Sequence, residues 1–434
     1  MTDVGFSEAP RIDYDRLARR LRARRRRGSA LKWAGLAAIV GALALLGVLL
    51  FTIVSSGWSG FFRTGIEAEV YFDPELIAPE GTTDRETIRD GDFATVIRRA
   101  LESALGSDAP DDQARSLRAL ASSSARYDLR DRVVATPSLI GTRETVRLVA
   151  SGEVDQAYKG NIPLDVPEDD RRLTDEQLDW YRTLQERGRL DLAFDPGFFL
   201  RGDSRSPEVA GVWTGIVGSA LMLVIVVAFA FPIGVAAAVW LEEFAPQNRW
   251  TEAVEININN LAAVPSIIFG LLGLAVFLNV FGMPRSSPLA GGAVLTLMTL
   301  PIIIIAARSA LRAVPPSLRE GAIMLGASRQ QAVFREVLPV AMPGMLTGTI
   351  IGLAQALGET APLLLIGMVA YIGSAPDAIT DSATALPVQV YLWANAPERG
   401  FEEKTQAAIM VLLVFLLIMN ATAIILRQRF QKKW

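Results

Sequence analysis

Long apolar runs constrain this chain more than any other feature of its sequence. A helix needs about 20 mostly apolar residues to cross the hydrocarbon core of a bilayer, and six runs approach or exceed that length. Apolar residues make up 51% of the 434-residue chain, and its mean hydropathy is +0.31. The sequence therefore predicts an all-α membrane protein with six spans, at about 31–54, 209–241, 259–281, 289–309, 342–371 and 406–426.

Basic residues are unevenly distributed around these runs. Arginines cluster in RIDYDRLARRLRARRRR (11–27), in the loop between the fourth and fifth runs, and after the last run in RQRFQKKW (427–434). Loops rich in Lys and Arg remain in the cytoplasm, so we expect both termini there. Anionic lipid headgroups account for the amino-terminal cluster, which favours the bilayer over nucleic acid as its partner. The first run is too long for a signal peptide and lacks a good cleavage site, so it is interpreted as an uncleaved span.

The segment 57–206 has mixed charge and no spanning run. Its sequence shows helical patterns at 93–105 and 175–190, and an alternating pattern at 143–150 that indicates a strand. About 150 residues suffice for a separate core, and one span after a cytoplasmic start places the segment in the periplasm. We therefore predict a basic cytoplasmic tail (1–30), a first transmembrane helix (31–56), a mainly helical, α or α+β periplasmic insert (57–206) and a transmembrane domain (207–430).

The chain contains no histidine and no cysteine. This composition excludes cysteine nucleophiles, Ser-His triads and His/Cys zinc sites within the chain. None of the five lysines follows a glycine, so the sequence cannot supply the phosphate-binding loop of an ATPase. We therefore expect no catalytic residue and no metal ligand, and an intramembrane hydrolase finds no support.

The loop at 310–341 carries the most informative pattern. Pro315 and Pro316 interrupt the preceding helix, and Ser317 is expected to cap a new one. A second short helix is predicted to follow the break at Gly326, with Ser328 as its cap, and to end at Leu338-Pro339. The pattern predicts a helix–turn–helix on the cytoplasmic face, where small residues allow a partner to approach closely.

This helix–turn–helix resembles the coupling-helix signature of ATP-binding-cassette (ABC) importer permeases. The signature consists of Glu-Ala-Ala, a glycine six residues after the glutamate, and a later Leu-Pro. The chain departs from the signature at Gly321, where alanine is usual, and at Glu336, where an apolar residue is usual. The matching residues are Glu320, Ala322, Gly326, Leu338 and Pro339.

Three further segments resemble the phosphate-specific A-type permeases, known as the PstA family. The amino-terminal extension and the insert are similar to a longer subgroup of that family. The matching segments are VPSIIFGLLGLAVF (264–277), TLPIIIIAARSALRAVPPSLREGA (299–322) and LGETAPLLLIGMVA (357–370).

The resemblance implies a six-span type I ABC importer permease fold in the bacterial inner membrane. It implies a path for inorganic phosphate, formed with a homologous C-type permease and supplied by a periplasmic phosphate-binding protein. Two ATPase subunits would dock on the coupling loop at 310–341 and use ATP and Mg, whereas this chain would bind no cofactor and would not be an enzyme. The residues implied in docking are Glu320, Gly321, Ala322, Gly326, Leu338 and Pro339.

Polar residues in and beside the spans are candidates for the path or its gate. Glu359 lies in an apolar run, where a carboxylate needs a partner or water, and Gln355 lies one turn earlier on the same face. Thr360 adds a hydroxyl to this strip. The alternative is that Glu359 forms only an interhelical hydrogen bond or salt bridge. Arg308 either offers a counter-charge or extends to the headgroups, and Ser266 either meets an anion or marks a kink at the start of the third span.

Two other functions remain open from the residues alone. The cargo could be another oxyanion, such as sulfate or molybdate, because a coupling motif does not select cargo. A membrane-anchored sensor or adhesion protein would instead use the insert as its working part. Arg201-Gly202-Asp203 matches an adhesion tripeptide, which we interpret as a chance match.

Overall fold

The computed structural model describes residues 14–79, 81 and 84–430. Residues 1–13 of the predicted basic tail (1–30), and the last four residues of the chain, lie outside this description. The chain divides into two units, residues 1–55 and residues 56–434. Helix α1 (Tyr14–Gly57) contains the first apolar run, and the predicted insert and the remaining spans belong together to the second unit.

Five described helices are long and apolar enough to cross a membrane. Besides the first, at Gly28–Phe61, they are Trp213–Phe244, Pro288–Arg312, Arg329–Gly358 and Gly400–Arg429. A bent pair of helices brings the number to six if it is one span, as the sequence predicts. In element terms, the second unit contains α10 (Trp213–Val239), α11 (Arg249–Ala262), α12 (Ser266–Leu272), α13 (Pro288–Arg312), α14 (Pro316–Met324), α15 (Arg329–Ala332), α16 (Leu338–Gly358), α17 (Ala361–Leu365), α18 (Leu386–Ala394) and α19 (Gly400–Phe430).

The third predicted span, at 259–281, is not one straight helix. Helix α11 and the helical segment Ser266–Leu278 meet at an angle of 106° across a short break. Proline disfavours helical backbone in the residue before it, and Pro265 adopts an extended backbone conformation at this break. The apolar run therefore begins a new helix at Ser266, and the polar helix α11 precedes it at a steep angle.

The fifth predicted span, at 342–371, is displaced in the structure. One continuous helix runs from Arg329 to Gly358, so Leu338-Pro339 does not end the second helix of the loop. The backbone at Val333–Val337 forms a π-helical turn just before Pro339, and such a turn changes the hydrogen-bonding pattern at the position where proline lacks an N–H. The apolar run breaks instead at Glu359, whose backbone is extended.

The insert is built on a three-stranded antiparallel sheet of order β2-β1-β3. Strand β1 (Phe62–Tyr71) pairs with β2 (Arg143–Val149) and with β3 (Leu190–Phe194). Ile66, Ala68 and Val70 alternate along β1 and are fully buried, as expected of a strand with one face on the core. The alternating pattern at 143–150 matches β2, whereas β1 and β3 were not predicted, although IEAEV in β1 carries the same alternating signal.

Eight helices accompany this sheet in the described part of the insert. Two of them match the predicted helical segments, since α4 spans Phe93–Leu105 and α8 spans Asp175–Glu186. Helix α8 begins with a capping box formed by Thr174 and Gln177. The others are α2 (Pro74–Ile77), α3 (Arg85–Arg89), α5 (Ala114–Arg118), α6 (Ala125–Ala135), α7 (Gly152–Tyr158) and α9 (Gly197–Leu200).

An ion-pair cluster attaches the insert to the last span. Lys159 Nζ lies 2.6 Å from Glu403 Oε1 in α19 and 2.8 Å from Asp155 Oδ2. All three side chains are at most 5% exposed. Buried charges need such close pairing because they have lost hydration. Next to Glu403, Lys404 Nζ donates to the carbonyl of Gly60 at 2.7 Å.

Aromatic rings extend the same junction. Phe61, which precedes β1, packs edge-on against Phe198 with ring centroids 5.5 Å apart. Trp393 lies 5.5 Å from Phe401 at the start of α19 and 6.4 Å from Phe198. The insert therefore packs closely on the helices that follow it, and buried aromatic surface stabilises this junction.

Candidate coupling and pathway sites

The coupling loop (310–341) forms a turn between two helices. Helix α14 ends at Met324, and Gly326 adopts a left-handed conformation with φ of +90°, which glycine tolerates best. Ser328 then caps α15 in a capping box with Gln331, as the sequence predicts. Ser317 does not cap α14, because Pro316 already occupies the first helical position and Pro315 the cap.

Apolar side chains are exposed at the tip of this turn. Met324 is 85% exposed and Leu325 is 91% exposed, and Ile323 and Phe334 are also exposed. Water is an unfavourable environment for such a group of side chains, and exposed apolar patches commonly mark protein contacts. Glu320 is also exposed, whereas Gly321 and Ala322 are partly buried in α14. Leu338 and Pro339 lie beyond the tip, in the continuous helix.

Arg319 fixes α14 to the end of the second span. Its Nε and one terminal nitrogen (Nη2) lie 3.0 Å and 2.6 Å from Glu243 Oε1. The guanidinium also donates to the carbonyls of Val314 at 2.8 Å and Leu311 at 2.9 Å. Glu243 is buried, so its charge depends on this partner. The sequence analysis missed the pair, and its only signal was a Glu-Glu sequence directly after an apolar run.

Arg308 belongs to the same ionic region. Its guanidinium lies 2.5 Å from Glu255 and 3.3 Å from Glu242, and Arg312 lies 2.9 Å from Glu242. Carboxylates from the second span and α11 therefore neutralise Arg308. The two roles considered for Arg308 from the sequence, a counter-charge in the path and a side chain that extends to the headgroups, stay predictions.

Glu359 lies at the break between α16 and α17, and we call Gly358–Thr360 the break segment. The side chain of Glu359 is partly buried and has no hydrogen-bond or ion-pair partner within the described part of the chain. The interhelical bond considered from the sequence is therefore not formed within these residues. Gln355 is exposed one turn earlier in α16, and Thr360 precedes α17. A polar strip is thus present, without a partner from the described chain.

The two interrupted spans pack against each other. Gly270 in α12 lies directly against α17, and a Cβ at this position would come within 2.7 Å of Pro362 Cα. Ser266 begins α12 one turn earlier and is partly buried. The structure therefore brings the Ser266 break and the Glu359 break into one region. Irregular backbone at membrane depth is tolerated where it is covered by protein or lines a water-filled cavity.

Two family models match this chain. Residues 230–433 match the inner membrane component of binding-protein-dependent transport systems. Residues 18–168 match a domain of unknown function, DUF3333, which covers most of the insert. Among solved structures, the inward-facing methionine transporter MetNI is 18% identical with a TM-score of 0.39, over 51% of this chain and 95% of that chain.

Several curated relatives are phosphate transport permeases. The phosphate transport system permease protein PstA of Mycobacterium leprae is 31% identical over 217 residues, which are 50% of this chain and 70% of the relative. PstA 2 of Mycobacterium bovis is 31% identical over 226 residues, or 52% of this chain and 74% of the relative. PstA of Xylella fastidiosa strain Temecula1 is 29% identical over 51% of this chain and 77% of the relative. With its helical spans and its coupling turn, this chain belongs to the PstA family of ABC importer permeases.

Proposed function

We propose that this chain is the A-type permease subunit of an importer that moves inorganic phosphate into the cytoplasm. The observation that carries the proposal is the coupling turn, whose exposed apolar tip is fixed to the second span through Arg319 and Glu243. A turn of this construction suits contact with a moving partner. Phosphate as the cargo rests on the curated relatives, which are phosphate transport permeases.

The subunit requires partners. A homologous C-type permease completes the path, and two ATPase subunits dock on the coupling loop and hydrolyse ATP with Mg. A periplasmic phosphate-binding protein delivers the anion. This chain contributes no catalytic group and binds no cofactor. Both termini and the coupling loop lie in the cytoplasm of the bacterium, and the insert lies outside the inner membrane. The positive-inside distribution of arginine supports this orientation.

A mechanical connection supports transmission from the ATPase to the path. Helix α14 is held to the second span by the Arg319–Glu243 pair, and the continuous helix from Arg329 runs directly to the break segment. Movement at the tip is therefore carried along one continuous helix toward Glu359. A path lined by one broken span from each permease would open and close as these helices shift.

In the folded chain, the tripeptide Arg201-Gly202-Asp203 is not accessible as an adhesion motif. Asp203 is 7% exposed, and its Oδ1 accepts a hydrogen bond from the Trp393 indole at 2.8 Å. Gly202 lies against the backbone of Gly373, and Arg201 forms an ion pair with Asp195. A receptor could not reach this tripeptide without local unfolding.

The experiment that tests the cargo is uptake of radiolabelled phosphate by proteoliposomes that contain the complete complex. We expect uptake that requires ATP inside the vesicles and the binding protein outside. Excess unlabelled phosphate should abolish the signal, whereas sulfate and molybdate should leave it nearly unchanged. Equal competition by sulfate or molybdate would assign the permease to another oxyanion.

A further inference from the structure

A cavity of about 890 Å³ lies where the insert meets two neighbouring segments of the chain. Helices α4, α5 and α7 of the insert contribute part of the wall. Residues 205–208, which precede the second span, and residues 398–400, at the start of the last span, also line it, together with Arg126 of α6 and insert residues near 119–123, 162–163 and 170–172. Sites for small molecules commonly have volumes of about 300–1,000 Å³, so the cavity is large enough for a ligand of several groups.

Arginine dominates the charge of this wall. Three of the arginines come from three different segments: Arg115 from α5, Arg205 from the segment before α10, and Arg399 from the residue before α19. None of the three has a carboxylate oxygen within 4.0 Å among the residues that the structure describes. Arg205 lies over the ring of Tyr371, 5.8 Å from its centroid. The remaining arginines of the wall are Arg118, Arg126, Arg171 and Arg172.

Arg171 adds an independent observation. Its side chain is only 7% exposed and forms an ion pair with Asp175. Its Nε is buried and has no hydrogen-bond partner. Buried donors are almost always paired in folded proteins, so the wall of this cavity contains hydrogen-bonding capacity that the described residues do not use.

Carboxylates also line the cavity but are fewer. Glu153 lies 3.7 Å from Arg172. Glu208 is buried and accepts a hydrogen bond from Ser122 at 2.6 Å, and burial raises the pKa of its carboxyl. Asp170 and Glu398 complete the acidic set. Seven guanidinium groups against four carboxyls leave an excess of positive charge, which favours an anion.

We propose that this cavity binds a small molecule that carries two or more phosphate groups. The planar guanidinium matches phosphate oxygens with paired hydrogen bonds. The arginines come from three separate segments and can contact several phosphate groups of one ligand. The cavity is also larger than a single phosphate ion requires. The site is separate from the transport path and does not depend on which anion is transported.

The ligand would connect the insert to the last span. Gln156 lines the cavity, and its Nε2 donates to Glu403 Oε1 at 2.9 Å. Glu403 belongs to the buried Lys159 cluster at the start of α19. Arg399 and Gly400 form the wall one turn before Glu403. Ligand binding in the cavity therefore acts directly on the junction between the insert and the last span.

The test is calorimetric titration of the purified full-length chain in detergent with tripolyphosphate, pyrophosphate, orthophosphate and sulfate. We expect saturable binding of tripolyphosphate and pyrophosphate, and much weaker binding of orthophosphate and sulfate. Substitution of Arg115, Arg205 and Arg399 by glutamine should raise Kd by roughly tenfold or more, because charge-assisted contacts are lost. A matched control substitutes glutamine for Arg85, Arg89 and Arg189, which are exposed and outside the wall. It removes the same number of charges, so it changes only the general electrostatic attraction and should leave Kd within about twofold.

Several results would overturn the proposal. One is wild-type protein that binds neither tripolyphosphate nor pyrophosphate. Another is an equal rise in Kd for the site variant and the control variant. Orthophosphate that binds as tightly as tripolyphosphate would exclude the multi-phosphate ligand. Loss of association with the substrate-binding protein, without any phosphate binding by the wild type, would identify a protein contact instead. If the triple variant does not fold, Arg115→Gln alone, at an exposed position, should still weaken tripolyphosphate binding.

Discussion

Among single residues, Glu359 is the acidic side chain on which the proposed transport path most depends. An isolated charge at membrane depth costs at least about 2.5 kcal/mol on insertion scales, and Glu359 has no partner among the described residues. A charge without a partner among the described residues suits pairing with water or with an arginine of the proposed second permease.

Glu359→Gln is expected to leave assembly of the complex intact and to abolish most phosphate uptake. The amide keeps the size and hydrogen-bonding ability of the side chain but loses the charge. The measurement is uptake in proteoliposomes with subunit stoichiometry checked in parallel, and Glu252→Gln, at an exposed position in α11, is the control. Normal uptake by Glu359→Gln would remove this carboxylate from the gating mechanism.

Asp203 is the residue whose protonation should affect stability. Burial, the largest cause, raises the pKa of this carboxyl from its usual 3.8 to about 6, despite hydrogen bonds from Trp393 and Ser204. The folded state therefore binds the proton more tightly than the unfolded state does. The stabilisation is fully present below the unfolded pKa and is lost as pH rises through about 6.

Asp203→Asn should flatten this pH dependence. Wild-type protein is expected to melt at a lower temperature at pH 8 than at pH 5, with a contribution from Asp203 of roughly 1.4 kcal/mol, because pH 5 lies about one unit below the folded pKa. The asparagine variant should be more stable than wild type at pH 8 and show little gain at pH 5. Thermal unfolding in detergent measures this, with Asp179→Asn, at an exposed position in α8, as the control. Parallel pH profiles for wild type and Asp203→Asn would contradict the assignment.

At the scale of elements, α14 works only if it is held firmly to the spans. Arg319→Ala would leave Glu243 buried without a partner, which commonly costs about 3–5 kcal/mol. We expect this variant to bind the ATPase but to transport little phosphate per ATP hydrolysed. Arg319→Lys should recover only part of the coupling, because an ammonium group cannot reproduce the paired contact. Full coupling in Arg319→Ala, measured as phosphate moved per ATP, would mean that α14 is held by other contacts.

Local signals in the sequence were sufficient for some elements and not for others. Gly326 and Ser328 were identified because a left-handed turn and a helix cap depend on neighbouring residues only. The Arg319–Glu243 pair joins residues 76 positions apart, and no local pattern specifies such a contact. A kink at Ser266 was one of two interpretations of the sequence, but its size was not predicted, because hydropathy measures apolar length, whereas Pro265 redirects the chain within the run by 106°.

At the scale of the whole molecule, six-span hydropathy and the coupling signature led to the correct family and fold class. The attachment of the insert could not be predicted, because it rests on buried pairs between distant segments, such as Lys159 with Glu403. Strand β3 was missed for a related reason, since it is specified by pairing with the distant β1, whereas β1 was missed although its alternating signal is local.

The orientation of the molecule is a prediction at this scale. Single cysteines at Asp169 in the insert and Gln330 in the coupling loop are both placed at exposed positions, in a chain that has no natural cysteine. An impermeant maleimide should label Asp169→Cys in intact spheroplasts and should label Gln330→Cys only after the membrane is opened. The opposite labelling pattern would reverse the predicted topology.

The most direct test of the central claim, that the loop at 310–341 couples ATP hydrolysis to transport, is the substitution Gly326→Trp. A bulky residue at φ of +90° strains the turn by about 1–2 kcal/mol and alters the tip that is proposed to meet the ATPase. Gly282→Trp is the matched control, because Gly282 also has a positive φ (+66°) and open space around it. Phosphate uptake and ATP hydrolysis are measured in the same proteoliposomes. We predict that Gly326→Trp loses uptake, through failed docking or uncoupled hydrolysis, while Gly282→Trp retains it; unchanged uptake and ATPase docking in Gly326→Trp would contradict the coupling account.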